Sequence, residues 1–175
     1  VPADLKTVLK HAGIAKPTYD ARRRRDIHGW LHVVAGGLPP VDHIAFEYEV
    51  KRKKFGAEHL AGLMIFEKLC SMFGLSQEIS DYIVSNRFFD IAAQCDEKSP
   101  YCIGAEFCVG VIFFEEGMNH ISGSRRECLS QFERHDRYQP EKGYADTGIV
   151  LLDAWPIIKQ AKDLISTSEA SAKAK

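Results

Sequence analysis

The chain has 175 residues, 45% of them hydrophobic and 27% charged, with 23 basic against 24 acidic side chains. That length fits one ordinary domain, or a small module followed by a second of similar bulk, and either buries a proper core. The composition excludes disordered, collagenous and disulfide-scaffold classes, and no apolar run reaches the ~20 residues that a membrane-spanning helix needs.

Five cysteines, Cys70, Cys95, Cys102, Cys108 and Cys128, are an odd number for a secreted disulfide framework, and no CxxC pair occurs. Reduced thiols in a cytoplasmic protein are the simpler reading, with a Cys95–Cys102 bridge left open for an oxidising compartment. The stretch begins at Val1 with no basic, apolar leader run. The near-neutral total hides an uneven distribution. Residues 1–56 carry eleven Lys or Arg against six Asp or Glu, a balance of +5, and residues 57–175 carry 12 against 18, a balance of -6. Two runs dominate the basic part, Arg22-Arg23-Arg24-Arg25 and Lys51-Arg52-Lys53-Lys54, which points to a cationic contact surface joined to an acidic body.

Along the chain, Leu5, Val8, Leu9 and Ala12 recur at i, i+3, i+4 and i+7, which predicts an amphipathic helix over 3–12 with Asp4 near its positive end. Gly13 permits a sharp turn, and Ile14 is its expected buried plug. Pro17 suits the start of a second helix running to about Asp26, strongly cationic, with Gly in the turn before it. The position one turn after Tyr19, normally apolar in such helix pairs, falls on Arg22 or Arg23. A loop rich in Gly and Pro covers 29–42. Ile44, Phe46, Tyr48 and Val50 then alternate with polar or small residues, predicting a strand that ends in the second basic run and Phe55. Leu60, Leu63, Met64, Leu69 and Phe73 predict a helix closed by Gly74, and Ser76 caps another that reaches about Gln94.

This order of elements resembles the DNA-binding part of MerR-type regulators. The resemblance rests on the helix–turn–helix, Leu38-Pro39-Pro40, the basic strand ending in Phe55, and Glu58-His59-Leu60 through Leu69-Cys70-Ser71-Met72-Phe73-Gly74-Leu75-Ser76. In that family a winged helix–turn–helix precedes such helices. The resemblance implies that residues 16–26 form a recognition helix and residues 43–55 a wing. Lys16, Thr18, Tyr19, Arg22 and Arg23 would then approach the major groove, while Arg24, Arg25, Lys51, Arg52, Lys53 and Lys54 neutralise phosphate.

Further on, residues 95–100 read as a loop. Tyr101, Ile103, Ala105, Phe107, Val109, Val111 and Phe113 alternate as a long strand with one apolar face, with Gly104 and Gly110 marking bulges or close backbone approach. Ser124-Arg125-Arg126-Glu127 fits a capping box ahead of a helix through Leu129 and Phe132. Gly148 to Leu152 is a strand candidate, Asp153 an expected cap for a last helix with Pro156 in its first turn, and the Ser/Ala/Lys tail from Ser166 an expected flexible end.

The expected fold is therefore α+β: a winged helix–turn–helix region over 1–94, a small α+β dimerisation, sensing or partner unit over 95–165, and a tail over 166–175. The expected function is sequence-specific binding of double-stranded DNA by a cytoplasmic transcriptional regulator, as a homodimer that doubles the contact. A protein-binding adaptor with a basic docking arm is the alternative, and a small metal-dependent hydrolase a weaker one. For the latter, Cys95, Cys102, Cys108 and His120 match no zinc spacing, and His135-Asp136 lacks further ligands. Glu115 and Glu116, adjacent on a strand, point to opposite faces. No phosphate loop or nucleophile motif occurs, so neither a catalytic residue, a metal nor a cofactor is expected.

Overall fold

A computed structural model describes residues 3–32, 55–114, 117–137 and 148–173. The chain begins with α1 (Leu5–Ala12), where the Asp4 carboxylate accepts a hydrogen bond from the Thr7 N–H at 2.8 Å. Gly13, in the left-handed region at φ 72°, ends the helix, and Ile14 is buried behind it. The second helix, α2 (Lys16–Arg23), carries Pro17 in its first turn. It stops short of Asp26 because the chain reverses there: Asp26 and His28 have φ of 58° and 68°, and Ile27 N–H returns to the Arg22 carbonyl. Ile27, Trp30 and Leu31 are then driven into the core.

Phe55 pairs with Ala3 in an antiparallel bridge, which brings the chain back beside its own start. The expected wing strand and the run Lys51 to Lys54 lie outside the described residues. Next comes α3 (Ala57–Phe73), closed by Gly74 at φ 66°, and then α4 (Gln77–Cys95), whose Ser76 hydroxyl accepts from Ile79 N–H. Gly62 is a requirement of α3, since a Cβ there would stand 2.7 Å from the Trp30 ring.

A three-stranded antiparallel sheet follows, with β1 (Phe107–Phe114) between β2 (Gly117–Ser124) and β3 (Gly148–Asp153). The odd-numbered residues Phe107, Val109, Val111 and Phe113 join the main core, together with Val150 and Leu152 of β3. Cys108, Ile112 and Phe114 face the other way, with Ile121, Ile149 and Leu151, under α5 (Arg125–Arg137) and its Cys128 and Phe132. The central strand is thus buried on both faces, where alternation had suggested one. Its start also moves. Tyr101 and Ile103 stand in solvent, Gly104 takes φ 59°, and a short 3-10 turn over Gly104–Glu106 delays the strand to Phe107.

The last helix, α6 (Trp155–Lys173), has Pro156 in its first turn. Asp153 is not its cap: it is the final β3 residue, paired with Cys108, and the Ala154 carbonyl accepts the Ile158 N–H. The stretch from Ser166 is helical to Lys173, and the Ser168 hydroxyl lies 2.9 Å from His11 Nε2. One buried cluster runs from Val8 and Leu9 of α1 through α3, α4 and β1 to Ile165 of α6, so residue 94 does not divide the core. The fold is α+β.

Candidate functional site

The helix pair α1–α2 decides what the first arginine run can reach. Tyr19 and Arg22, one turn apart, face inward. Tyr19 is 3% exposed and its ring lies parallel to that of His28, with centroids 6.0 Å apart. Arg22 occupies the normally apolar position. Its guanidinium sits 5.0 Å from the centre of the Phe66 ring and forms an ion pair with Glu67 of α3. These two residues are therefore anchors of α2, with their side chains turned inward where groove contact was expected of them.

The remaining members of the set lie outward. Lys16 and Thr18 are exposed on α2, with Lys16 paired to Asp20 one turn on. Arg24 and Arg25 are exposed in the turn that leaves α2. Arg25 reaches the Gln77 side chain and lies 3.7 Å from the Glu78 carboxylate at the start of α4. Arg23 is half-buried, with its guanidinium beside Gly29. The structure thus brings Lys16, Thr18, Arg24 and Arg25 to solvent along one short segment, and takes Tyr19 and Arg22 out of it. Lys51, Arg52, Lys53 and Lys54 lie outside the described residues.

Beneath this segment sits a buried polar centre. His28 is fully buried, with its ring 4.4 Å from Phe66 and 5.8 Å from Trp30, centroid to centroid. Neither ring nitrogen has a hydrogen-bond partner among the described residues. Burial, then the charges of Arg22 and Arg23, push its pKa down to about 3, so the imidazole is neutral. The Asp81 carboxylate ties the loop down, accepting from His28 N–H at 2.7 Å and from Trp30 Nε1 at 3.0 Å. Burial raises the Asp81 carboxyl above its usual range, against the lowering effect of those two bonds.

A second polar group joins α4 to the edge strand β2. Arg87 donates to the His120 carbonyl at 2.8 Å and lies 3.3 Å from Asp90, which accepts from the Ser122 hydroxyl at 2.6 Å. The Tyr82 and His120 rings are 5.2 Å apart. Sequence reading missed this cluster. Arg87 and Asp90 at i, i+3 were a visible pair, but β2, with only Met118 and Ile121 among small and polar residues, carried no alternation to reveal its partners.

The cysteines do not converge on a metal. Cys108 and Cys128 share the cluster under α5, Cys95 ends α4 with Cys102 in the loop beside it, and His120 is on the edge strand β2. Among the described residues no group of three or more His, Cys, Asp or Glu is placed to hold a metal ion. No helix among them is long and apolar enough to cross a membrane. No family model, curated protein or solved structure matches this chain.

Proposed function

We propose that this chain binds double-stranded DNA in a sequence-specific manner, as a homodimeric transcriptional regulator with a MerR-like winged helix–turn–helix. The observation that carries the reading is the sidedness of α2: Tyr19 and Arg22 anchor it, while Lys16, Thr18, Arg24 and Arg25 face solvent. A short helix held this way offers its outer side chains to a groove, and cations at its exit suit phosphate. In this reading Lys16 and Thr18 meet base edges, and Arg24, Arg25 and the run Lys51 to Lys54 neutralise backbone. Tyr19 and Arg22 act as positioning residues.

Fluorescence anisotropy against genomic fragments over a salt series tests it. Affinity falls steeply with salt, and replacing Lys51 to Lys54 with Gln weakens binding to all sequences alike. The salt slope flattens by about one for each phosphate no longer neutralised. Replacement of Thr18 instead changes the preference between sequences. Absence of binding at low salt would sink the proposal. The alternative is docking of an acidic protein surface by the same basic arm. A partner captured equally well after nuclease treatment supports that reading.

A further inference from the structure

The segment between α4 and β1 is wound around one buried side chain. Gln94, 2% exposed, donates from Nε2 to the Tyr101 carbonyl at 2.8 Å. Its Oε1 accepts from Ile103 N–H at 2.8 Å and Gly104 N–H at 3.2 Å. Two backbone bonds tighten the same loop, Ser99 N–H to the Asp96 carbonyl and Cys102 N–H to the Ser99 carbonyl. The loop therefore returns to the helix end it left. Cys102 Sγ lies 3.7 Å from the Gln94 carbonyl oxygen, which belongs to the peptide unit leading into Cys95. Both cysteines are free and half-buried.

We infer that Cys95 and Cys102 are a reversible modification site, closing to an intramolecular disulfide when the protein meets a low-molecular-weight disulfide such as oxidised glutathione. The loop sets the Cys102 thiol against the peptide unit that leads into Cys95, and closing the ring brings the two sulfurs from there to bonding distance. The chemistry is two exchanges. The Cys102 thiolate attacks one sulfur of the oxidant, forming a mixed disulfide and expelling one glutathione thiolate. Cys95, as its thiolate, then attacks Cys102 Sγ and expels the second. The protein loses two thiol protons and two electrons, and the oxidant leaves as two reduced thiols.

The order of attack follows from the surroundings. Burial pushes the Cys95 thiol up to about 12, and nearby Glu58 adds to this, which suits it to the second, intramolecular step. The other cysteines are differently placed. Cys108 and Cys128 are sealed beneath α5, and the Cys70 thiol donates to the Ser80 hydroxyl at 3.2 Å. The consequence of closure is local: it locks the loop that holds Tyr101, 76% exposed, and Ile103 in solvent.

The test uses the full, reduced chain incubated with oxidised glutathione at mildly alkaline pH and quenched with acid. Thiol titration after denaturation then reports a loss of two of the five thiols, reversed by dithiothreitol. Peptide mapping finds residues 88–98 linked to residues 99–125. The Cys95→Ser variant instead holds one glutathione on Cys102, and Cys102→Ser forms no bridge. Retention of all five thiols, a bridge that persists in Cys102→Ser, or a Cys108–Cys128 bridge would each overturn the inference. Serine is close in size to cysteine at these half-buried positions, and unchanged far-ultraviolet circular dichroism verifies that both variants fold.

Discussion

His28 is held neutral in a fully buried, aromatic setting, and the consequence is a stability that depends on acid. Its folded pKa of about 3 lies below the ordinary 6.5, so between those values the unfolded chain binds the proton that the folded chain refuses. Stability is complete above pH 6.5 and falls as pH drops through that window. At pH 5 the loss amounts to about 2 kcal/mol, from about 1.4 kcal/mol per pH unit. The groups facing the ring are Arg22 and Arg23 from α2 and Asp81 from α4, beside Tyr19. Asp81 acts in the opposite sense, because burial raises its carboxyl and lets the folded chain take that proton before the unfolded chain does. Denaturant unfolding of the protein and of His28→Phe at pH 7 and pH 5 measures the effect. The variant should lose most of the slope, whatever its absolute stability. An equal slope in both would remove His28 from the account.

At the scale of elements, the sheet depends on how closely β1 and β3 approach. Gly110 is paired with Leu151, and a Cβ built on it collides with the Val150 carbonyl oxygen, with the Val150 carbonyl carbon at 3.0 Å. The obstacle is backbone on the neighbouring strand, which no rotamer change relieves. Gly110→Ala is therefore expected to cost about 3 kcal/mol, at the upper end of overpacking penalties. Gly148, in the same sheet, would place its Cβ against nothing within 4 Å, so Gly148→Ala should stay within about 0.5 kcal/mol of the parent. Urea midpoints of the two variants make the comparison, and equal midpoints would refute the close approach. Local signals in this half were readable where they were self-contained. Ser124 and Glu127 form the capping box their spacing announces, with Ser124 N–H bonded to the Glu127 carboxylate at 2.8 Å and Glu127 N–H to the Ser124 hydroxyl at 3.3 Å. Gly110 was legible as a close-approach position. The strand β2 was not, because it is a strand by virtue of pairing with β1.

For the molecule as a whole, the shared core matters more than the uneven charge. Val8 and Leu9 of α1, the apolar face of α3, Ile83 and Phe88 of α4, Val109 and Val111 of β1, and Ile158 of α6 belong to one buried cluster. Among the described residues, that cluster takes members from both sides of residue 94. A single cooperative thermal transition should result, with near-ultraviolet and far-ultraviolet circular dichroism and tryptophan fluorescence coincident. Trp30 and Trp155 report on opposite ends of the chain, which makes the fluorescence comparison informative. Two separated transitions would restore the two-unit division expected from the order of elements.

What the sequence determined alone was whatever depends on neighbours a few residues apart. The helices and most of their ends at Asp4, Gly13, Gly74, Ser76 and Ser124 are of this kind, as is the apolar spacing that makes Leu9, Leu60 and Ile83 core. Tertiary structure decided the rest, because burial is a relation between distant segments. Arg22 is inside because Phe66 and Glu67 stand opposite it, and Asp153 ends a strand because Cys108 pairs with it. The opening charge balance is altered in the same way. Of the arginine run, Arg22 is held inside by α3 and Arg25 is engaged by α4, so the cationic surface on α2 is narrower than its sequence. A charge count cannot register that difference, since it assigns every arginine to solvent.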